Sequence, residues 1–218
     1  MRRPLWIALI LVGVLAWCTP AAAATWTGTA EATFTGSLSK GQGAWLELPW
    51  EIIWQRTVAD VRSVERLPDG NTLVCSGTGF VQILTPGGGV VWEYRPAGLP
   101  DATLWHATMT PTGNVLIVSR REGMVIEVDY ATKEVVWRYG QGVTDTFSPG
   151  WVVDPFIATR LPNGNTLICD NRGERVFEVR TADYSAGAPD DGYTADSIVW
   201  MFLAQTGTRP KYAQRLAN

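Results

Sequence analysis

The chain has 218 residues, of which 46% are hydrophobic, and its 18 basic and 21 acidic side chains give a formal net charge of −3. This balance excludes nucleic acid as a partner, because no basic stripe is present to neutralise a phosphate backbone. The single His and three Cys have no zinc-ligand spacing, and neither a phosphate loop nor a serine elbow occurs.

Residues 1–24 are expected to be a signal peptide. Arg2-Arg3 precede an apolar run from Leu5 to Trp17, and Ala21 to Ala24 supply a small-residue cleavage site. The run is shorter than the ~20 residues of a spanning helix, so the expectation is a periplasmic or secreted protein with no membrane span after cleavage. An uncleaved anchor is the alternative. Loss of Arg2 and Arg3 leaves 16 basic and 21 acidic side chains, a net charge near −5.

Residues 25–56 hold strand-like stretches, Glu31 to Thr35 and Ala44 to Leu48, ahead of Trp54. They read as N-terminal strands or a partial unit. A phrase then begins that recurs: Arg66-Leu67-Pro68-Asp69-Gly70-Asn71-Thr72-Leu73-Val74, Met109-Thr110-Pro111-Thr112-Gly113-Asn114-Val115-Leu116-Ile117 and Arg160-Leu161-Pro162-Asn163-Gly164-Asn165-Thr166-Leu167-Ile168. Proline sets φ for turn entry and glycine permits positive φ before a strand starts, so each copy predicts a hairpin turn. Each is followed by a second apolar run (Val81 to Leu84, Val125 to Val128, Val176 to Val179) and by a strand centred on Trp92, Trp137 or Trp200.

The turn glycines lie 43 and then 51 residues apart, a period that fits a four-stranded propeller blade. The predicted fold is therefore all-β: a β-propeller with one blade over 57–94, a second over 95–139 and a third over 140–202. An insertion at 181–192 lengthens the third. Counted from Gln82, Glu127 and Glu178 to the tryptophans, the spans are 10, 10 and 22 residues. Residues 203–218 start a further, truncated blade, because Leu216-Ala217-Asn218 stop where the next Gly-Asn-Thr-Leu would begin. The expectation is three complete blades plus partial ones, a fragment of a longer repeat protein. The alternative is a four-bladed ring closed by strands from 25–56 and 212–216. Tryptophan in such a fold is expected to fill the wedge between blades. Cys75 and Cys169 sit at one repeat position in non-neighbouring blades, beyond the ~7 Å reach of a disulfide, and are expected to be buried thiols.

In a propeller the starts of the inner strands and the loops between second and third strands open on one channel face. The repeat places His106, Arg62, Arg120, Arg121, Asp170, Asn171 and Arg172 there. His106 is the catalytic candidate, since an imidazole among guanidinium groups suits nucleophilic or proton-transfer chemistry on an anionic ester. The others are ligand-binding candidates, with arginine holding an anion. Asp183, Asp190, Asp191 and Asp196 offer oxygen ligands for calcium, but their spacing matches no EF-hand loop. No metal site and no cofactor is expected. Partners are a small anionic or aromatic molecule, or a protein, on the propeller face.

The phrase Leu161 to Ile168, followed by Val176 to Val179 and Ile198-Val199-Trp200, resembles the repeat of the bacterial arylsulfate sulfotransferases and, more widely, quinoprotein-like propeller repeats. The likeness covers about residues 50–218. Trp105-His106-Ala107 before Thr110-Pro111-Thr112-Gly113-Asn114 is similar to the strand start that carries the family's histidine. The resemblance implies that His106 takes a sulfuryl group from an aryl sulfate and passes it to a phenol. Such a site uses more than one channel histidine, and this chain has one. Two functions are therefore carried forward: an exported propeller that binds a small ligand or protein on its channel face, and an arylsulfotransferase-like enzyme acting through His106. A quinone-cofactor dehydrogenase ranks below both, since no acidic pair stands at matched channel positions.

Overall fold

A computed structural model describes residues 54–97, 104–142 and 147–216, together with two short strands near the N-terminus. The chain divides into two compact units, 1–57 and 58–218. In the first, β1 (Ala24–Thr25) pairs antiparallel with β2 (Thr33–Phe34), inside the predicted stretch at Glu31 to Thr35. The expected signal segment before Ala24 and the stretch Ala44 to Leu48 lie outside the described residues.

The second unit is three four-stranded antiparallel sheets in simple meander order. The first blade holds β3 (Val61–Arg66), β4 (Thr72–Ser76), β5 (Phe80–Leu84) and β6 (Val90–Tyr94). The second holds β7 (Leu104–Met109), β8 (Val115–Ser119), β9 (Met124–Val128) and β10 (Val135–Tyr139). The third holds β11 (Pro155–Arg160), β12 (Thr166–Asp170), β13 (Arg175–Val179) and β14 (Ile198–Leu203). This is an arc of three propeller blades, as the repeat predicts.

The repeated phrase makes the same turn three times. Gly70, Gly113 and Gly164 have φ of 84°, 88° and 86°, and each donates its N–H to the carbonyl three residues earlier, at Leu67, Thr110 and Leu161, over 2.9–3.0 Å. Proline enters the turn and glycine takes the left-handed position before the second strand. The second strands β4, β8 and β12 are buried throughout.

The core lies between blades. One apolar cluster joins Leu73, Val81 and Trp92 of the first blade to Leu104, Ala107 and Ile117 of the second. Another joins Val118, Trp137 and Tyr139 of the second to Ala158, Ile168 and Phe177 of the third. Inner strands are also tied directly, since Ala107 N donates to Ser63 Oγ (3.0 Å) and Met109 N to Glu65 Oε2 (2.9 Å). Cys75 and Cys169 are buried free thiols, pushed up to about 12 by burial. Among the described residues, no helix is long and apolar enough to cross a membrane.

A charged clamp closes the junction between the second and third blades. Arg160, at the end of β11, donates to Glu127 on β9 and to Thr166 and Thr181, and its guanidinium lies 4.6 Å from the Trp137 ring centroid. Arg215 repeats the contact one blade on, donating to Glu178 and lying 4.8 Å over Trp200. The fourth-strand tryptophans register the difference between a closed and an open junction: Trp92 and Trp137 are 4% and 3% exposed, Trp200 is 41%.

The segment between β13 and β14, which contains the expected insertion at 181–192, folds as three short 3-10 turns, at Thr181–Asp183, Pro189–Gly192 and Ala195–Ser197. It docks on the second blade. Asp191 receives two hydrogen bonds of 2.8 Å from Arg138, Trp151 Nε1 donates to Asp190 Oδ1 (2.8 Å), and Asp183 pairs with Arg180. Three of the four candidate calcium ligands thus meet neighbouring protein groups. Strand pairing also refines the expected spacing. Trp137 and Trp200 face Glu127 and Glu178, but Trp92 faces Ile83 rather than Gln82, so the first blade's loop is one residue shorter than the second's.

Arg160 and Glu127 are both buried, so removing one partner strands the other. We expect Arg160→Met to destabilise the fold by about 3–5 kcal/mol. Arg215→Met should cost less, about 1 kcal/mol, because Arg215 is half exposed and Glu178 keeps Asn163 and Asn165 as donors. Adding Glu127→Leu to Arg160→Met should recover much of the loss, since an apolar pair leaves no uncompensated charge. Urea denaturation of the four chains checks the order.

Candidate functional site

Each inner strand begins with a β-bulge. Register slips by one residue between Val61 and Ser63, between Leu104 and His106, and between Pro155 and Ile157. The extra residues are Arg62, Trp105 and Phe156. Bulges re-aim side chains at strand ends, and here three equivalent bulges set their residues in a row across three blades.

Arg120, from the loop after β8, fits into that row. Arg62 lies 4.6 Å from the Trp105 ring centroid, and Arg120 lies 4.6 Å from the same ring and 4.9 Å from Phe156. Trp105 and Phe156 meet edge to face at 4.9 Å. Both guanidinium groups stand within cation–π range of the Trp105 ring.

The arginines of the row carry matched carboxylates. Asp60 accepts from Arg62 at 2.8 Å. Asp154 accepts from Arg120 Nε and Nη2 at 2.5 and 2.8 Å, a bidentate pair that raises the Arg120 pKa. Asp60 and Asp154 occupy one repeat position, yet they pair differently: Asp154 accepts from Arg120 of the preceding blade, and Asp60 accepts from Arg62 of its own blade. A Cβ at Gly77 would stand 2.2 Å from Asp60 Oδ2 and 2.5 Å from Arg62 Nε, so the Arg62–Asp60 pair fills that space.

The remaining sequence candidates separate into two groups. Asp170 is fully buried and accepts from the backbone N–H groups of Val153, Asp154 and Gly173 and from Arg175. It holds the loop between β12 and β13. Asn171 is also buried and donates from Nδ2 to the Pro210 carbonyl (3.0 Å), tying that loop to the terminal segment. Arg121 and Arg172 share one repeat position on neighbouring blades, and both are exposed to solvent.

His106 lies on β7 next to Trp105. Its Nδ1 is buried without a hydrogen-bond partner among the described residues. Desolvation lowers its pKa to about 4, so the imidazole is neutral at pH 7. The arginines of the row make their bonds with Asp60 and Asp154. Sequence reasoning placed Arg62, Arg120 and His106 on this face, together with the starts of inner strands that carry Trp105 and Phe156, but did not single out Asp60 and Asp154. Aligning the three inner strands puts Arg62, Trp105 and Phe156 in one column, a signal for the row, whereas the bulge that aims them has none.

No protein-family model matches this chain, and no curated protein matches it. It is similar to several solved structures. One is a catalytically inactive virginiamycin B lyase from Staphylococcus aureus with quinupristin, at 13% identity, covering 87% of this chain and 57% of that one with a TM-score of 0.49. Another is the WD40 β-propeller domain of Doa1, at 15% identity, 66% and 40% coverage and a TM-score of 0.47. A third is BamB from Moraxella catarrhalis, at 17% identity, 66% and 35% coverage and a TM-score of 0.41. This chain spans from about a third to under two thirds of their lengths. Propellers stand among these structures, but likenesses this distant concern architecture and do not bear on activity.

A neutral buried histidine links stability to acidity. The unfolded chain takes up a proton near 6.5 that the folded chain refuses until about 4. Stability owed to neutral His106 is therefore complete above about pH 6.5 and is lost as pH falls toward about 4. Between about pH 7 and about pH 4.5 the native chain should lose about 2–3 kcal/mol more than His106→Gln does, which paired urea titrations measure.

Proposed function

We propose that this chain is an exported propeller protein whose channel face binds a planar aromatic anion, presented as a small molecule or on a protein surface. The observation that carries the reading is the row Arg62, Trp105, Arg120 and Phe156, built by three equivalent bulges. Its arginine charges are balanced by Asp60 and Asp154, so the row supplies flat, polarisable surface rather than net charge. Arg121 and Arg172, on the adjoining loops, supply the cations for an anionic group. Export rests on the signal-like segment at 1–24.

A second reading, sulfuryl transfer, is favoured by the neutral imidazole of His106. An unprotonated ring has a lone pair at pH 7, and Nε2 is the nitrogen not enclosed. In this reading Nε2 attacks the sulfur of an aryl sulfate, the bond from sulfur to the aryl oxygen breaks, and a phenolate leaves. A phenol oxygen then attacks the sulfuryl group as its proton passes to the phenolate released in the first step, the nitrogen–sulfur bond breaks, and the neutral imidazole is regenerated.

One probe tests both. 4-Nitrophenyl sulfate should bind the full chain, and Arg121→Ala with Arg172→Ala should weaken it about tenfold, near 1.4 kcal/mol. Failure of the native chain to bind it overturns the first reading. With a phenol acceptor present, nitrophenolate release that vanishes in His106→Ala while binding persists supports transfer; binding without release removes it.

A further inference from the structure

We propose that β14 pairs antiparallel with β14 of a second copy of this chain, about a two-fold axis beside Met201, joining two third blades into one eight-stranded sheet. The strand, Ile198–Leu203, is the outer edge of its blade. It pairs with β13 on one side, and among the described residues no strand pairs with the other. Half of its backbone N–H and C=O groups therefore face outward, an open template for another strand.

Its side chains distinguish it from the sister edges. Val199, Trp200, Met201, Phe202 and Leu203 are all exposed, from 41% to 68%; Val91 and Val136 of the sister strands are exposed too, at 53% and 45%, and the difference lies in charge. At the position of Met201, β6 carries Glu93 and β10 carries Arg138. Glu93 is bonded to Gln82 and Arg95, and Arg138 to Asp191. Either of those strands, set against its own copy, would oppose like charges. β14 holds no charge over six residues, so self-pairing meets no repulsion. The occupant this favours is an identical strand, since an isologous contact needs only one self-complementary patch.

Geometry selects the register. Residues paired across an antiparallel ladder share a face, so the two-fold axis must pass beside a residue. Centring on Trp200 would oppose two rings that Arg215 already overlies. Centring on Met201 pairs residues 199 to 203 and sets Met201 opposite its symmetry mate.

Sedimentation velocity of the full chain should show a dimer. Met201→Glu and Met201→Arg should each give a monomer, because like charges then face one another. The sister strands accept Glu and Arg at this place, so each variant should keep its circular dichroism and melting behaviour. An equimolar mixture of the two variants should regain a dimer, as opposite charges meet at the same register. A monomeric native chain, a dimer indifferent to both substitutions, or a mixture that stays monomeric would each overturn the proposal.

Discussion

The junction between the second and third blades depends on the contact by which an arginine at the end of an inner strand reaches back to the preceding blade. Arg160 lies against the Trp137 ring and pairs with Glu127 while both ions are shielded from water. A lone buried charge is expensive and an apolar wedge alone has no direction. Together they fix the angle at which one sheet meets the next, because the guanidinium satisfies its carboxylate only when it also lies on the ring. Every other feature of this junction follows from that angle. Val118, Tyr139 and Phe177 close the space beneath it, and the insertion then fits its Asp191 to Arg138.

The candidate site is a consequence of the same spacing. Inner strands held side by side bring three bulges into line, and only then do Arg62, Trp105 and Phe156 come within stacking distance. The chain uses its charges there in balanced pairs. A free arginine beside an indole would draw in counter-ions; one matched with Asp60 or Asp154 instead presents a stable flat surface. His106, one residue from Trp105, is kept neutral by the packing that forms the blade junction. Its chemistry therefore belongs to the fold as much as to the residue.

Blade identity shows in the fourth strands. Where a following blade is in place, the tryptophan is buried; at the third blade the ring is half open, with Arg215 over it. Among the outer strands of the three described blades, β14 is the one without a charged residue.

Sequence determined the repeating unit: the turn, the two apolar runs and the tryptophan strand were legible because φ preferences and alternation act over a few residues. The buried thiols at one repeat depth were legible for the same reason, as was the insertion between β13 and β14. Tertiary structure alone decided what the units do together. The one-residue slip at each inner strand leaves no compositional trace, since a bulge is a matter of pairing with a neighbour. Nor does sequence show that Arg120 crosses to Asp154, that Asp170 turns inward to hold a loop, or that Arg62 meets an indole from the next blade. The contacts of Arg120 and Arg62 join residues 34 and 43 positions apart, and they exist only once neighbouring blades stand side by side.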